Sequence, residues 1–237
     1  MYNIEPMTQP TPSRPPYRLA YCPRAEADRA LALPEDVRER FSAAELADLQ
    51  SLPERRRRDR LAGRLAAKRA LAAHFSAEYG WDAAPRDLVI GNDPDGRPVL
   101  RLPKGAPADA PSFSISHCAE GGAAAVGAPG RRVGVDLELV IARPAEVIAF
   151  VAAPGEDRAA PPSDPDAQAR LWTGKEAALK LLGLGLDADA RDVRELDGEI
   201  RYEGRPAAAW RALGAPRVRA AFERAGAAML AVAYTGD

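Results

Sequence analysis

The sequence predicts an α+β protein in which helices pack on antiparallel sheets. Two long segments carry helical periodicity, a series of short apolar or alternating runs is bounded by turn residues, and the two kinds of segment are interleaved along the chain. At 237 residues the chain is one large domain or two small ones, and either can bury a core without staples.

Composition narrows the class. Lys and Arg total 33 against 34 Asp and Glu, a net charge of −1, which argues against a general nucleic-acid binder. No apolar run is long enough to span a bilayer, and the opening MYNIEPMTQPTPSRPP lacks the apolar region of a secretory signal. Two cysteines, Cys22 and Cys118, make neither a disulfide framework nor a cysteine-rich zinc site. The expected setting is the reduced cytoplasm, with no membrane partner.

In chain order, the Pro-, Ser- and Thr-rich residues 1–16 read as a mobile tail. A strand is expected over Tyr17–Cys22 and helix over Glu35–Gln50. Ser51-Leu-Pro-Glu54 has the form of a capping box opening the longest helix, Pro53–Tyr79, which Gly80 closes; Leu61, Leu65, Ala72 and Phe75 form its apolar stripe. Short strands are expected at 88–91, 97–102, 113–116 and 123–126, with Asn92-Asp-Pro-Asp-Gly96 as a turn. Gly127-Ala-Pro-Gly130 divides the chain into an N-terminal subdomain, 17–127, and a C-terminal one, 128–237. Val133–Val140 alternates, with Val133, Val135, Leu137 and Leu139 on one face and Gly134, Asp136 and Glu138 on the other. A helix near 144–151, a flexible Pro/Asp-rich loop at 153–165 and a strong helix over 167–183 follow. Four short strands, near 193–196, 199–203, 218–222 and 229–234, complete the chain, and no internal repeat is visible in the sequence.

Against only four lysines and two histidines, those that fall inside dense motifs stand out. Asp136 and Glu138 lie side by side on one strand face, where they can hold one hard cation or form a solvated face. Glu176 and Lys180 share a helical face at i and i+4, as a surface ion pair or as a third carboxylate with a charge partner. Phe113-Ser-Ile-Ser-His117 ends a strand in a polar pair suited to phosphate or to a structural role. Arg60, Arg64 and Lys68 make a basic stripe suited to a polyanion or to solvent. The run Glu54-Arg-Arg-Arg-Arg58 allows a nucleic-acid reading, which lacks interleaved aromatics and a basic excess.

Taken in order, Gly96-Arg-Pro98, Phe113-Ser-Ile-Ser-His117, Gly134-Val-Asp-Leu-Glu138 and Trp172-Thr-Gly-Lys-Glu-Ala-Ala-Leu-Lys180 resemble the successive motifs of the 4′-phosphopantetheinyl transferases, in particular the larger, surfactin-synthetase-activating type. Gly63-Arg-Leu-Ala-Ala-Lys-Arg69 and Gly183-Leu-Gly-Leu186 are similar to further family segments, so the resemblance covers roughly residues 50–186.

It implies a pseudo-twofold pair of similar subdomains, each an antiparallel sheet packed against helices, with the active site between them. It implies a monomer that takes coenzyme A as donor and a serine of an apo acyl or peptidyl carrier protein as acceptor. Asp136, Glu138 and Glu176 would hold Mg²⁺, and Glu176 would also be the base. Lys180 would neutralise the leaving 3′,5′-ADP. Ser116, His117 and Arg97 would contact the coenzyme, and Arg64 and Lys68 its 3′-phosphate. The sequence departs from the family at Cys118, where a small hydroxyl residue is usual, and at Val151–Arg170, which is loop-like where relatives carry a carrier-docking stretch. A non-catalytic relative binding coenzyme A or a carrier domain is the competing reading. The short, trimeric holo-acyl-carrier-protein synthase type is disfavoured by length.

Overall fold

A computed structural model describes residues 15–196 and 198–236. The chain opens with strand β1 (Tyr17–Pro23) and helices α1 (Arg24–Ala32), α2 (Pro34–Arg40), α3 (Ala43–Ser51) and α4 (Glu54–Tyr79). Strands β2 (Val89–Asn92), β3 (Pro98–Arg101), β4 (Phe113–Cys118), β5 (Gly121–Gly127) and β6 (Val133–Leu139) follow. Helices α5 (Ala145–Ala149) and α6 (Pro165–Leu181) precede β7 (Val193–Leu196) and β8 (Glu199–Tyr202). Helix α7 (Gly204–Ala212) and strands β9 (Val218–Ala225) and β10 (Ala228–Thr235) end the fold. All pairings are antiparallel, in sheets ordered β1-β5-β4, β6-β10-β9-β8-β7 and β2-β3. The α+β class with helices on antiparallel sheets is therefore the observed one.

Several local expectations need correction. Residues 1–14 of the expected tail lie outside the described residues, while the carbonyl of Pro16 accepts a bond from the Ala128 amide. Helix α1 lies where no helix is expected, and the helix expected over 35–50 is broken at Phe41-Ser42. The capping box is at Ser42 and Glu45, on α3; Ser51 instead donates to the Asp48 carbonyl, and α4 begins without a side-chain cap. Gly80 closes α4 in the left-handed region at φ 62°, as a C-terminal glycine can. The 153–165 segment is anchored rather than loose: Val151, Ala152, Ala153 and Ala160 are buried, and Glu156 binds both the Ala153 amide and Lys175.

The order of elements repeats. A strand, helices ending in a long one, a 3-10 turn, a hairpin and two antiparallel strands occur once from β1 to β5 and again, with α7 and two further 3-10 turns added, from β6 to β10. Two buried lysines mark the correspondence. Lys68 on α4 donates to the carbonyls of Pro85 and Leu88 and pairs with Glu45. Lys175 on α6 donates to the carbonyls of Ala190 and Val193 and pairs with Glu156. Each ammonium thus ties its helix to the 3-10 turn beyond it and to a glutamate before it. Burying a charge is tolerable only with such saturation of its donors.

The two larger sheets meet along β4 and β6, both edge strands. Their backbones do not pair. Serine hydroxyls of β4 and its approach span the seam instead: Ser112 Oγ accepts from the Val133 amide and Ser114 Oγ from the Val135 amide, at 3.2 and 3.1 Å. The period-two spacing of serines thereby satisfies the exposed amides of an edge strand. On β6 the apolar face, Val133, Val135 and Leu137, packs with Leu230 and Val232. The other face meets α6 so closely that a Cβ on Gly134 would lie 2.0 Å from the Ala177 carbonyl oxygen.

Candidate active site

The serine series along β4 continues to Ser116, which meets a charge instead of an amide. Its hydroxyl donates to Asp136 Oδ1 at 2.9 Å, and Lys180 Nζ reaches the same oxygen at 2.6 Å and Ser116 Oγ at 3.1 Å. Three elements, β4, β6 and α6, thus converge on one carboxylate oxygen. The second oxygen, Oδ2, is buried with no hydrogen-bond partner. A buried, unpartnered carboxylate oxygen is costly.

Glu138 repeats the arrangement two residues along. Its Oε2 accepts from Arg143 Nη2 at 3.1 Å, while Oε1 has no hydrogen bond among the described residues. Glu176 faces both acids from α6. Burial and the nearby Asp136 charge push the carboxyls of Glu138 and Glu176 up from the ordinary carboxylate value, and Glu138 adds to this effect on Glu176 while Lys180 opposes it.

Among the described residues, no group of three or more His, Cys, Asp or Glu side chains stands close enough, as it lies, to enclose a metal ion. The donor set nevertheless has the chemistry of a hard-cation site: Asp136 presents a buried oxygen without a partner, and the charges of Asp136 and Glu138 both act on the Glu176 carboxyl.

Cavities lie on either side of this cluster. One, of about 960 Å³, is walled by Arg97, Ser112, Ser114, Arg132, Lys180 and Gly183 among others. The second, of about 550 Å³, is walled by Arg24, Arg55, Arg58, His117, Cys118 and Glu138 among others. Lys180 in the first and Glu138 in the second are close enough for their charges to interact.

The remaining expected residues divide. His117 is exposed at the second cavity; the surrounding protein lowers its imidazolium below the ordinary range, and Asp59 opposes the shift. Arg97 lies over Gly183, where an added Cβ would stand 3.3 Å from the guanidinium carbon, and so enters the first cavity. Arg64 is buried and bonds Asn92 Oδ1 and the Gly91 carbonyl, with Nη1 unpartnered; burial, and secondarily Arg60, bring it down to about 10.

Lys68 corrects the sequence reading. It is 2% exposed and its ammonium is committed to Glu45 and two carbonyls, so it is a staple of the fold and not a phosphate contact. The arginine run is similarly spent in part. Arg57 caps α3 through the carbonyls of Leu49, Gln50 and Leu52, and Arg58 pairs with Asp28 and Glu54. This removes two of the four charges from the nucleic-acid reading. Cys118 accepts a bond from the Glu120 amide, and burial pushes its thiol up, away from the reactive thiolate. Sequence reasoning missed Arg143, whose partner lies five residues upstream across a strand end, and the seam serines, whose alternation along 112–116 was the available signal.

Residues 132–228 match the family model of the 4′-phosphopantetheinyl transferase superfamily. The matched segment contains Asp136, Glu138, Glu176 and Lys180. No curated protein matches the chain. Similar solved structures include the holo-(acyl-carrier-protein) synthase of Bacillus anthracis in complex with CoA (3′,5′-ADP), at 23% identity and a TM-score of 0.40, covering 46% of this chain and 91% of that one. The Helicobacter pylori holo-[acyl-carrier-protein] synthase in complex with coenzyme A is 19% identical at a TM-score of 0.39, covering 47% and 97%. The Neisseria meningitidis holo-[acyl-carrier-protein] synthase is 17% identical at a TM-score of 0.33, covering 45% and 98%. Among the described residues no helix is long and apolar enough to cross a membrane.

Proposed function

We propose that the chain is a 4′-phosphopantetheinyl transferase of the larger, surfactin-synthetase-activating type. It moves phosphopantetheine from coenzyme A to a serine of an apo acyl or peptidyl carrier protein and releases 3′,5′-ADP. The observation that carries this reading is the convergence of Ser116, Asp136 and Lys180 where two sheets meet, with Asp136 and Lys180 inside the segment that matches the superfamily model.

In this reading the first cavity takes the nucleotide end of coenzyme A, with Arg97 and Lys180 opposing its phosphates, while Ser116, beside Asp136, and His117, at the second cavity, contact the phosphates from the far side of the cluster. Asp136, Glu138 and Glu176 would hold Mg²⁺, which when bound supplies Lewis acidity at the pyrophosphate. The carrier serine oxygen forms a bond to the phosphorus that bears the pantetheine arm, and the bond to the 3′,5′-ADP oxygen breaks. Glu176 receives the hydroxyl proton. Lys180 opposes charge gathering on the leaving phosphate. We assign the 17–127 and 128–237 segments as the two subdomains of a monomer acting in the cytoplasm.

The test is release of 3′,5′-ADP from coenzyme A in the presence of Mg²⁺ and an apo carrier protein, followed by chromatography. Release that requires the carrier's acceptor serine supports the reading. Coenzyme A binding without any release, across carriers of fatty-acid, polyketide and peptide synthesis, would overturn it in favour of a non-catalytic binder.

A further inference from the structure

Asp136 and Glu138 are each held by one oxygen and present the other. Lys180 and Ser116 take Asp136 Oδ1, leaving Oδ2; Arg143 takes Glu138 Oε2, leaving Oε1. From this parallel we infer that Arg143 is the positioning residue for Glu138: it fixes the rotamer from which Oε1 joins the cation site. The inference rests on the proposed role of the three carboxylates.

Arg143 is held from several sides, although its Nη1 is buried without a hydrogen-bond partner. It is 9% exposed, and its guanidinium lies 5.4 Å from the ring centroid of Trp172, within cation–π range. Its backbone is locked by one fully buried side chain: Gln168 Oε1 accepts from the Arg143 amide at 2.8 Å, and Gln168 Nε2 donates to the Arg143 carbonyl at 3.0 Å. Gln168 and Trp172 are both on α6, the helix that carries Glu176 and Lys180. One helix therefore supplies a carboxylate directly and also sets, through Arg143, the direction of a second. Glu138, with a 36% exposed side chain at the rim, is the acid that most needs such restraint. Oxygens that ligate a metal are oriented by partners behind them, and loss of such a partner costs about 10- to 100-fold in metal affinity.

Coulomb's law makes the sign of the test decisive. Removing a cation beside a cation site tightens metal binding if charge alone matters. Positioning predicts the reverse. Mn²⁺ binding is measured by electron paramagnetic resonance on the full chain for the native protein, Arg143→Met, Glu138→Gln and the double variant. Arg143→Met is expected to weaken Mn²⁺ binding about tenfold or more, and to have no further effect when Glu138→Gln is already present. Unchanged or tighter binding in Arg143→Met, or an equal loss in the Glu138→Gln background, would overturn the inference while leaving the metal site standing. A native chain that binds no Mn²⁺ would overturn both. Should Arg143→Met fail to fold, Arg143→Lys keeps the charge and much of the stem but loses the planar fork. Weaker Mn²⁺ binding at unchanged charge is then the expected result, and native affinity the contrary one.

Discussion

Lys180 Nζ stands 2.6 Å from Asp136 Oδ1, and this ion pair joins the central helix of the second half to the edge strand that faces the first half. The lysine side chain is 26% exposed and the aspartate 6% exposed, so the cation is open to a cavity while the anion is buried behind it. Under the proposed function, this asymmetry leaves Lys180 able to turn to a coenzyme phosphate without leaving the site. We expect Lys180→Ala to raise the coenzyme A KM and lower kcat together, at a cost of about 1.5–3 kcal/mol for a lost charge-assisted contact. Glu176→Gln should act mainly on kcat. Steady-state kinetics of both variants provides the check; two near-native enzymes would reduce the pair to a fold contact.

Lys68 gives the opposite expectation. Its ammonium holds Glu45, which also caps α3 and accepts from the Ile90 amide, so removing the lysine strands a buried carboxylate. Lys68→Met should cost about 3–5 kcal/mol of stability. Measured well below its lowered melting temperature, the variant should keep the native coenzyme A KM. A selective rise in KM with native stability would restore Lys68 to the ligand site.

The contrast between these lysines defines what the sequence could disclose. Strand alternation in Val133–Leu139 is a local property, and it correctly put Asp136 and Glu138 opposite the apolar face. The i, i+4 spacing of Glu176 and Lys180 is equally local. Lys68 lies on a helix that reads as a basic stripe, yet its partners are Glu45, Pro85 and Leu88, which only the tertiary fold delivers. The same limit explains the capping error. Ser42-Ala-Ala-Glu45 and Ser51-Leu-Pro-Glu54 share one pattern, and only the first has its serine at a helix start. Helix α7 escaped because it begins Gly204-Arg-Pro206, residues that locally signal a turn. The repeat was invisible because it is carried by two lysine staples and an element order, not by matching residues.

Gly134 is required by contact rather than by dihedral freedom. A Cβ there would stand 2.0 Å from Ala177 O and 2.5 Å from Leu181 N, both backbone atoms of α6. Gly134→Ala must lift α6 from β6, and with it Glu176 and Lys180 from Asp136. The expected cost is about 3 kcal/mol or more, at the upper end for overpacking, with activity lost even where the protein remains folded. Urea denaturation combined with an activity assay measures both; a native-like variant would contradict the close helix–strand approach.

His74, in the wall of the first cavity, supplies a pH dependence. It is 1% exposed with Nδ1 unpartnered, and burial lowers its pKa, which Glu78 opposes and Arg18 assists. Below the unfolded value of about 6.5, the unfolded chain takes up the proton more readily than the folded one. The contribution of His74 is therefore fully present above that value, is lost as pH falls through the window beneath it, and levels off below the folded pKa. Urea midpoints across this window should fall less steeply for His74→Leu than for the native chain. Parallel pH profiles would show that another group governs the loss.

The most direct measurement is the intact mass of an apo carrier protein after incubation with coenzyme A, Mg²⁺ and the native chain or Asp136→Ala. The native chain should add one phosphopantetheine mass to at least one carrier from a panel covering fatty-acid, polyketide and peptide synthesis. Chelation of the metal should abolish the addition, and Asp136→Ala should nearly do so while retaining its fold by circular dichroism. An Asp136→Ala protein that modified the carrier at the native rate under limiting Mg²⁺ would contradict the account at its centre.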